Sequence, residues 1–369
     1  MNEQLKKLTV LESTNHHLDY KALQVYDKPI GEEFLKLREY VEQFIVFDSM
    51  KDPEIIFEVL TWVSQQWKHD GYNDPGMTTT SLEILKRAHE GEQFRCVEYG
   101  RVASDILSSY GFTGRHIGIR TENVDYGGAG MGHVATEVWS NGLGKWIFID
   151  PQFAAYFEYH GEPLNFHDMY GFWTRKEFDV LDLIVNEAVV SQSGKDEKTY
   201  KANYINFITN YFGYVQTKFT SPHFEYSVSL KLDGTREAMT FQGMPEENIS
   251  YTSNVEELYF KLNQSLMTFT YHEKVDFMKV IKENNITTAE SYLENMHKFA
   301  AEPNLNVICH HNTPRFDFFE YSHDKENWQK VEDKSFDWNI TEGVHEAHVR
   351  SVNKQGLRGM INSLKVEYR

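Results

Sequence analysis

Hydrophobic positions repeat with a helical period over much of the first half of the chain and with a strand period over much of the second. In GEEFLKLREYVEQFIVF (31–47), Phe34, Leu37, Val41 and Phe44 fall on one face. The next stripe is Ile56, Leu60, Val63 and Trp67, opened by Asp52 as N-cap with Pro53 at the first helical position. Thr80 and Glu83 have the spacing of a capping box for a short third helix that ends at Gly91. Another helix begins within a few residues. Its buried face is Tyr99, Ala103, Ile106 and Tyr110, and Gly111 stops it. Two alternating segments follow, HVATEVWS (133–140) and KWIFIDP (145–151). The short link Asn141-Gly142-Leu143-Gly144 between them predicts a hairpin.

Residues 152–215 read as mostly helical. Thr174 and Glu177 suggest a second capping box, and Tyr204, Phe207, Ile208 and Tyr211 recur at helical spacing. Beyond about residue 215 the period becomes two. Phe224, Tyr226, Val228, Leu230 and Leu232 alternate with polar residues up to a turn at Asp233-Gly234. A further pair of strands is expected over 256–271, and a helical interruption over 287–300 with Thr287 and Glu290 at its cap. Short strands follow near 305–310, 316–321, 327–331, 336–340, 345–352 and 361–368. This spacing predicts a β-sandwich. The first fifteen residues are polar and expected to be loosely held. The predicted fold class is α+β, with one domain over 1–215 and a β-rich domain over 216–369.

Three chemistry-bearing residues stand out at element ends. Cys96 lies in or near the first turn of its helix, where unpaired backbone N–H groups and the positive end of the dipole favour a thiolate. His133 opens the first hairpin strand and Asp150 closes the second, which makes the two neighbours. Asp150 can then accept from one imidazole nitrogen and leave the other for sulfur, the arrangement of a nucleophilic triad. A zinc site built from the same three groups lacks a fourth ligand at short spacing.

This core resembles the transglutaminase-like superfamily of papain-related cysteine hydrolases and acyltransferases. The similar residues are Gly91 and Cys96 heading an Ala-containing helix, GFTGRHIGI (111–119), Gly132-His133 with Glu137-Val138-Trp139, and Trp146-Ile147-Phe148-Ile149-Asp150-Pro151. IIFEVLTWVSQQWKHDGYN (55–73) is similar to the helix that precedes such a core. The resemblance covers roughly residues 50–155. It implies a papain-like fold with Cys96 as nucleophile, His133 as general base and acid, and Asp150 as the orienting residue. The segment before the cysteine is GEQFR, unlike the Gly-Gln-Cys-Trp of animal transglutaminases, which leaves the second oxyanion donor unassigned. The ending DWNITEGVHEAHVRSVNKQGLRGMINSLKVEY (337–368) is similar to the closing strands of immunoglobulin-like and fibronectin-III-like modules.

Several other residues could adjoin the reactive group. Gln93 is a candidate oxyanion donor beside the Cys96 backbone N–H. Glu137 shares a strand face with His133, and with Trp139 is a candidate for the substrate groove, although a hydrogen-bonded carboxylate and a core tryptophan are the plainer readings. Arg115 suits an ion pair better than recognition of a substrate carboxylate. The loop YGGAGMG (126–132) precedes a strand, not a helix, so it is a candidate rim beside the histidine and no phosphate cradle. In Cys309-His310-His311 the histidines point to opposite faces of a strand and cannot share an ion.

Composition narrows the partners. The 369 residues carry a formal charge of -18, which argues against nucleic acid and anionic membranes. No apolar run approaches the roughly 20 residues of a membrane span. The polar N-terminus does not read as a secretory signal, so the chain as written is expected in the cytoplasm. Its 2 cysteines imply no disulfide framework. The expectation is a cysteine-dependent acyl hydrolase acting on a peptide or protein substrate, without cofactor or metal. Acyl transfer to an amine, or a silent binding scaffold, are the alternatives. Oligomeric state is not encoded in these patterns.

Overall fold

A computed structural model describes residues 6–15, 17–28, 30–47, 51–76, 78–124, 131–220, 225–234 and 248–369. The chain is a mixed α/β protein with mainly antiparallel sheets. It divides into two compact units, one of residues 21–262 with 355–357, the other of 1–20, 263–354 and 358–369.

In the larger unit, helices Glu32–Val41, Glu54–Ser64 and Ser81–His89 surround the helix Cys96–Ser109. Leu37, Ile56, Leu60, Val63, Ile84 and Ile106 share one apolar core, which is the amphipathic pattern of the sequence brought to a single centre. Thr80 and Glu83 form the expected capping box, Thr80 Oγ1 accepting from Glu83 N at 3.2 Å and Thr80 N donating to Glu83 Oε2 at 2.7 Å. Asp52 has a different task from the predicted N-cap. Its carboxylate accepts from Ser140 Oγ and the backbone N–H groups of Asn141 and Gly142, at 2.5, 2.5 and 3.1 Å, and so ties the hairpin turn to the helical layer. Pro53 is the capping residue, without a side-chain hydrogen bond.

The central helix packs on a six-stranded sheet. The strands run in the order Ile249–Thr252, Glu225–Lys231, Tyr214–Thr220, Gly114–Arg120, Gly132–Ser140, Lys145–Ile149, and only the first pair is parallel. The predicted hairpin is present, with Trp139 opposite Trp146 and Ser140 opposite Lys145. Contact between helix and sheet is unusually close at Gly100. A Cβ there would lie 3.0 Å from Val134 Cγ1 and 3.1 Å from the Ala135 carbonyl oxygen. Thr136 Oγ1 donates to the Gly100 carbonyl at 3.0 Å across the same contact. Glycine is therefore what lets the cysteine-bearing helix settle on the histidine-bearing strand.

On the sheet's other face a charged pair is sealed in. Arg115 and Glu137 are cross-strand partners, and Arg115 Nη2 lies 2.6 Å from Glu137 Oε2. Arg115 also donates to the Leu258 carbonyl at 2.6 Å, and its guanidinium sits 4.0 Å from the Trp146 ring. Glu137 Oε1 accepts from Tyr259 Oη and Phe166 N, both at 3.0 Å. Both ions are thus paired and hydrogen-bonded, the condition under which buried charges are tolerated.

The region after the hairpin is less helical than its pattern suggests. Ala155–Tyr159, Glu162–Pro163 and Asp182–Val185 form a small antiparallel sheet. Helices occupy Phe166–Thr174, Glu187–Gln192 and Glu197–Thr209. Thr174 ends a helix instead of opening one; the box that starts this helix is Asn165 with Asp168.

The domain boundary also falls elsewhere than 215/216. Tyr214–Thr220 pairs with Gly114–Arg120 and Glu225–Lys231 pairs with Tyr214–Thr220, so the first alternating strands beyond 215 belong to the larger unit. The smaller unit begins instead with the chain's own first strand. Leu8–Ser13, expected to be loose, pairs along Asn362–Tyr368.

Two antiparallel sheets of 5 and 3 strands enclose this unit's core, which includes Met267, Val307, Trp338, Phe319, Val349 and Val366. Of the strands expected over 256–271 only Ser265–Tyr271 is present, preceded by a 3-10 turn at Val255–Glu257. The helical interruption is Phe277–Glu283, Ala289–Glu294 and a 3-10 turn, capped by Asp276 and Thr288. Phe224 and the return strand after Asp233-Gly234 lie outside the described residues. Among the described residues no helix is long and apolar enough to cross a membrane.

Removing one member of the sealed pair leaves the other charge buried and unpaired. Glu137→Gln is expected to cost about 3–5 kcal/mol in denaturant unfolding of the larger unit; a loss under about 1 kcal/mol would contradict this account. Gly100→Val should cost about 1–3 kcal/mol by overpacking and should slow Cys96 alkylation at pH 6, because it forces the helix away from the strand.

Candidate active site

Cys96 is the first residue of its helix and its side chain is half-buried. Arg95 precedes it in extended conformation, and the Glu98 carboxylate accepts from Arg95 N at 3.1 Å and from its Nη2 at 3.0 Å. Arg95 Nη1 also donates to Asp74 at 2.9 Å. The residue next to the sulfur is therefore held on both sides. The helix meets the sheet at Gly100, opposite Val134 and Ala135, about one turn from Cys96.

His133 is the second residue of the strand Gly132–Ser140, and Asp150 directly follows Lys145–Ile149. Thr136 pairs with Ile149, so continuing the register sets Asp150 across from Ala135, with His133 two residues further on the same face. Asp150 Oδ2 accepts from His133 Nε2 at 2.9 Å. The other ring nitrogen is left for Cys96, and the sulfur and the His133 ring each shift the other's proton affinity. The Asp150 carboxylate is fully buried; Tyr204 Oη donates to Oδ2 at 2.9 Å and Gln152 N to Oδ1 at 3.2 Å.

These contacts set the charges. Burial pushes the Cys96 thiol up. Hydrogen bonds from His133 and His69, the charge of His133 and the Val134 backbone N–H outweigh it and bring the thiol down to about 6. Burial likewise works against a charged His133, but the Asp150 carboxylate and the sulfur raise it to about 9. Between those values sulfur and imidazole stand as a thiolate–imidazolium pair. Cys309 is the contrast, since burial alone takes its thiol up to about 12.

An aromatic wall shields the imidazole. Phe207, Phe153 and Tyr211 lie 5.0, 5.9 and 6.1 Å from it, centroid to centroid. Tyr204, Phe207 and Tyr211 come from the helix Glu197–Thr209 and the turn after it. Burial, with Asp150 beside it, keeps the Tyr204 phenol far above its ordinary value, so it remains a donor to the carboxylate.

Other candidates from the sequence fall differently. Gln93 is exposed, and its backbone carbonyl accepts from Asn73 Nδ2 at 2.6 Å. Glu137 and Trp139 do not line a groove. Thr136 and Val138 face the central helix, so strand alternation sends Glu137 and Trp139 to the opposite face, where both are buried. Trp139 packs edge-on against Trp146 at 5.9 Å, and Glu137 is spent on Arg115, Tyr259 and Phe166. The glycine loop lies outside the described residues over 125–130. His310 Nε2 pairs with Thr268 Oγ1 at 2.9 Å while His311 stacks on Phe316 at 3.8 Å. Among the described residues no group of three or more His, Cys, Asp or Glu is placed to hold a metal ion.

Three residues near the sulfur or its partners escaped the sequence reading. Tyr204 was visible only as a helical-face aromatic. His69 sits in a polar stretch with no periodicity to mark it. Trp67 counted as a core residue, yet its indole Nε1 is buried without a hydrogen-bond partner, as is that of Trp139. The Trp67 ring lies 4.3 Å from Tyr99, in the cysteine's own helix, and two residues before His69.

No protein-family model matches this chain. No curated protein matches it. Among solved structures it is similar to the crystal structure of red sea bream transglutaminase, with 8% identity and a TM-score of 0.26, over 95% of this chain and 74% of that one. A likeness of this size carries no argument about function.

Proposed function

We propose that this protein is a cysteine-dependent acyl hydrolase built on a papain-like, transglutaminase-like core. The reading rests on one observation: a half-buried sulfur at a helix N-terminus, joined through His133 to a buried and fully satisfied Asp150. That is the sulfur–imidazole–carboxylate order of an activated thiol nucleophile.

The chemistry follows from the charges. Cys96 Sγ attacks an amide carbonyl, forming an S–C bond and an oxyanion. The C–N bond then breaks as His133 gives its proton to the leaving amine. Water enters, His133 takes a proton from it, and the thioester yields a carboxylic acid and the free thiolate. Asp150 holds the ring so that one nitrogen always faces the sulfur. The Cys96 backbone N–H, unpaired at the helix start, is one donor for the oxyanion. The unpartnered Trp67 indole is the stronger candidate for the second, ahead of the exposed Gln93. The substrate is an amide in a peptide or protein, and the protein's own groups suffice for the reaction.

Cys96 in the intact protein should react with iodoacetamide with a half-maximal rate near pH 6, while Cys309 stays slow throughout the neutral range. His133→Ala should move the Cys96 limb up by more than about one pH unit, since it removes the largest hydrogen bond and charge on the sulfur. Equal, slow labelling of both thiols would sink the nucleophile assignment. Against a peptide substrate library, Asp150→Asn should lower kcat by about two to four orders of magnitude with little change in KM. A labelled amine incorporated into a glutamine-containing protein would overturn hydrolysis in favour of transfer.

A further inference from the structure

We infer that the aromatic cleft around Phe212 is a subsite for a basic residue of the substrate, taking the ammonium or guanidinium side chain of a peptide. The inference rests on the hydrolase reading above and names the substrate class of that same site. The cleft has a volume of about 700 Å³ and lies wholly within the larger unit. That is the size of a small-ligand pocket. No step of the reaction described above uses it.

The sequence builds one wall from a helix end. Tyr170 and Trp173 stand three apart in the helix Phe166–Thr174 and so share a face. Lys176 follows that helix in the left-handed conformation, at φ 59°, and its N–H donates to the Trp173 carbonyl at 3.0 Å. The chain turns back there and brings the Phe178 ring to 6.1 Å from that of Trp173. Phe212 is the centre of the group, with the rings of Tyr170, Trp173 and Phe178 at 5.9, 5.9 and 5.8 Å from it. Trp173 remains 46% exposed. The opposite wall forms where Gly213 meets the end of the strand Gly114–Arg120. Gly213 N donates to the Arg120 carbonyl at 3.0 Å, and a Cβ on Gly213 would lie 2.3 Å from Glu122 N.

Two sets of contacts put the cleft beside the reactive centre. The Phe166 ring lies 5.2 Å from Phe212 and 5.6 Å from Phe148, and Phe148 pairs with Glu137, so the cleft is on the sheet face of Glu137 and His133. Ile119 pairs with His133, and Tyr211, one residue before Phe212, packs 6.1 Å from the His133 ring. The cleft thus starts about 10 Å from His133, roughly three residues of extended peptide.

Its charges favour a cation. Glu122, Asp179 and Asp233 share the lining with two lysines. Lys231 is buried, its Nζ 3.5 Å from Asp233 Oδ2 and 5.8 Å from the centre of the Tyr214 ring, so its charge is met inside the protein. Glu122 and Asp179 pair with no cation among the described residues, and only the exposed Lys176 opposes them in the lining. Aromatic faces beside unpaired carboxylates attract an ammonium or guanidinium, most strongly at a tryptophan. The formal charge of -18 draws cationic peptides in the same direction.

The test reads binding apart from cleavage. The full chain carrying Cys96→Ala is titrated by calorimetry with a blocked alanine peptide bearing a central arginine, and with the same peptide bearing citrulline, arginine's neutral isostere. The arginine peptide should bind about five- to tenfold tighter. Trp173→Ala should cut that preference to under about twofold and Trp173→Phe should keep most of it, with circular dichroism of each variant as the fold control. Equal binding of the two peptides, no measurable binding of either, or a preference that Trp173→Ala leaves intact would overturn the assignment. With Cys96 present, arginine about three residues from the scissile amide should lower KM by the same factor at unchanged kcat. A chain that cleaves no peptide yet keeps the arginine preference would remove the hydrolase reading and leave the cleft a cation site. One that cleaves peptides with indifference to arginine at every position would remove the subsite alone.

Discussion

Asp150 has no contact with solvent, and its charge is tolerable there only because His133, Tyr204 and the Gln152 backbone all donate to it. The arrangement around His133 and Cys96 depends on this satisfied carboxylate. It fixes which ring nitrogen of His133 points inward, and it keeps the imidazolium charged against the cost of burial. The charged ring in turn draws the thiol down. The order of causes is carboxylate, ring, sulfur. A buried aspartate with one donor fewer would weaken all three links together.

The scaffold delivers these groups through two further devices that lie away from the sulfur. Gly100 permits a helix to approach a strand more closely than any side chain would allow, and so sets the height of Cys96 relative to His133. The Arg115–Glu137 pair clamps the middle of the same strand from the opposite face. One strand therefore carries His133 at its start and one member of a buried ion pair four residues on. The clamped middle steadies the strand's start, which is how a single element can be both rigid and poised.

Much of this was legible in the sequence, and the limits have physical reasons. The hairpin announced itself through alternation and a four-residue glycine-containing link, and with it came the proximity of His133 and Asp150. The capping box at Thr80 was readable because its two hydrogen bonds are local. Asp52 looked the same on paper, but its partners Ser140, Asn141 and Gly142 are about ninety positions away, and no local rule sees them. Parity along the strand correctly grouped Glu137 with His133 on one face; what that face would meet was not written in the strand. Tyr204 showed only as an aromatic on a helical face, since its bond to Asp150 is made in three dimensions. The same holds for the boundary, because alternation marks a strand without naming its sheet.

That boundary has a consequence for how the molecule is made. The smaller unit takes its edge strand Leu8–Ser13 from the start of the chain and the neighbouring strand Asn362–Tyr368 from the end. The whole larger unit is an insertion between them. During synthesis the inserted unit has nearly all its residues available first, whereas the surrounding β-structure must wait for the strands that follow it. Leu8–Ser13, made before the larger unit, thus meets its partner Asn362–Tyr368 only after that unit is made, and until then it is a strand without its neighbour.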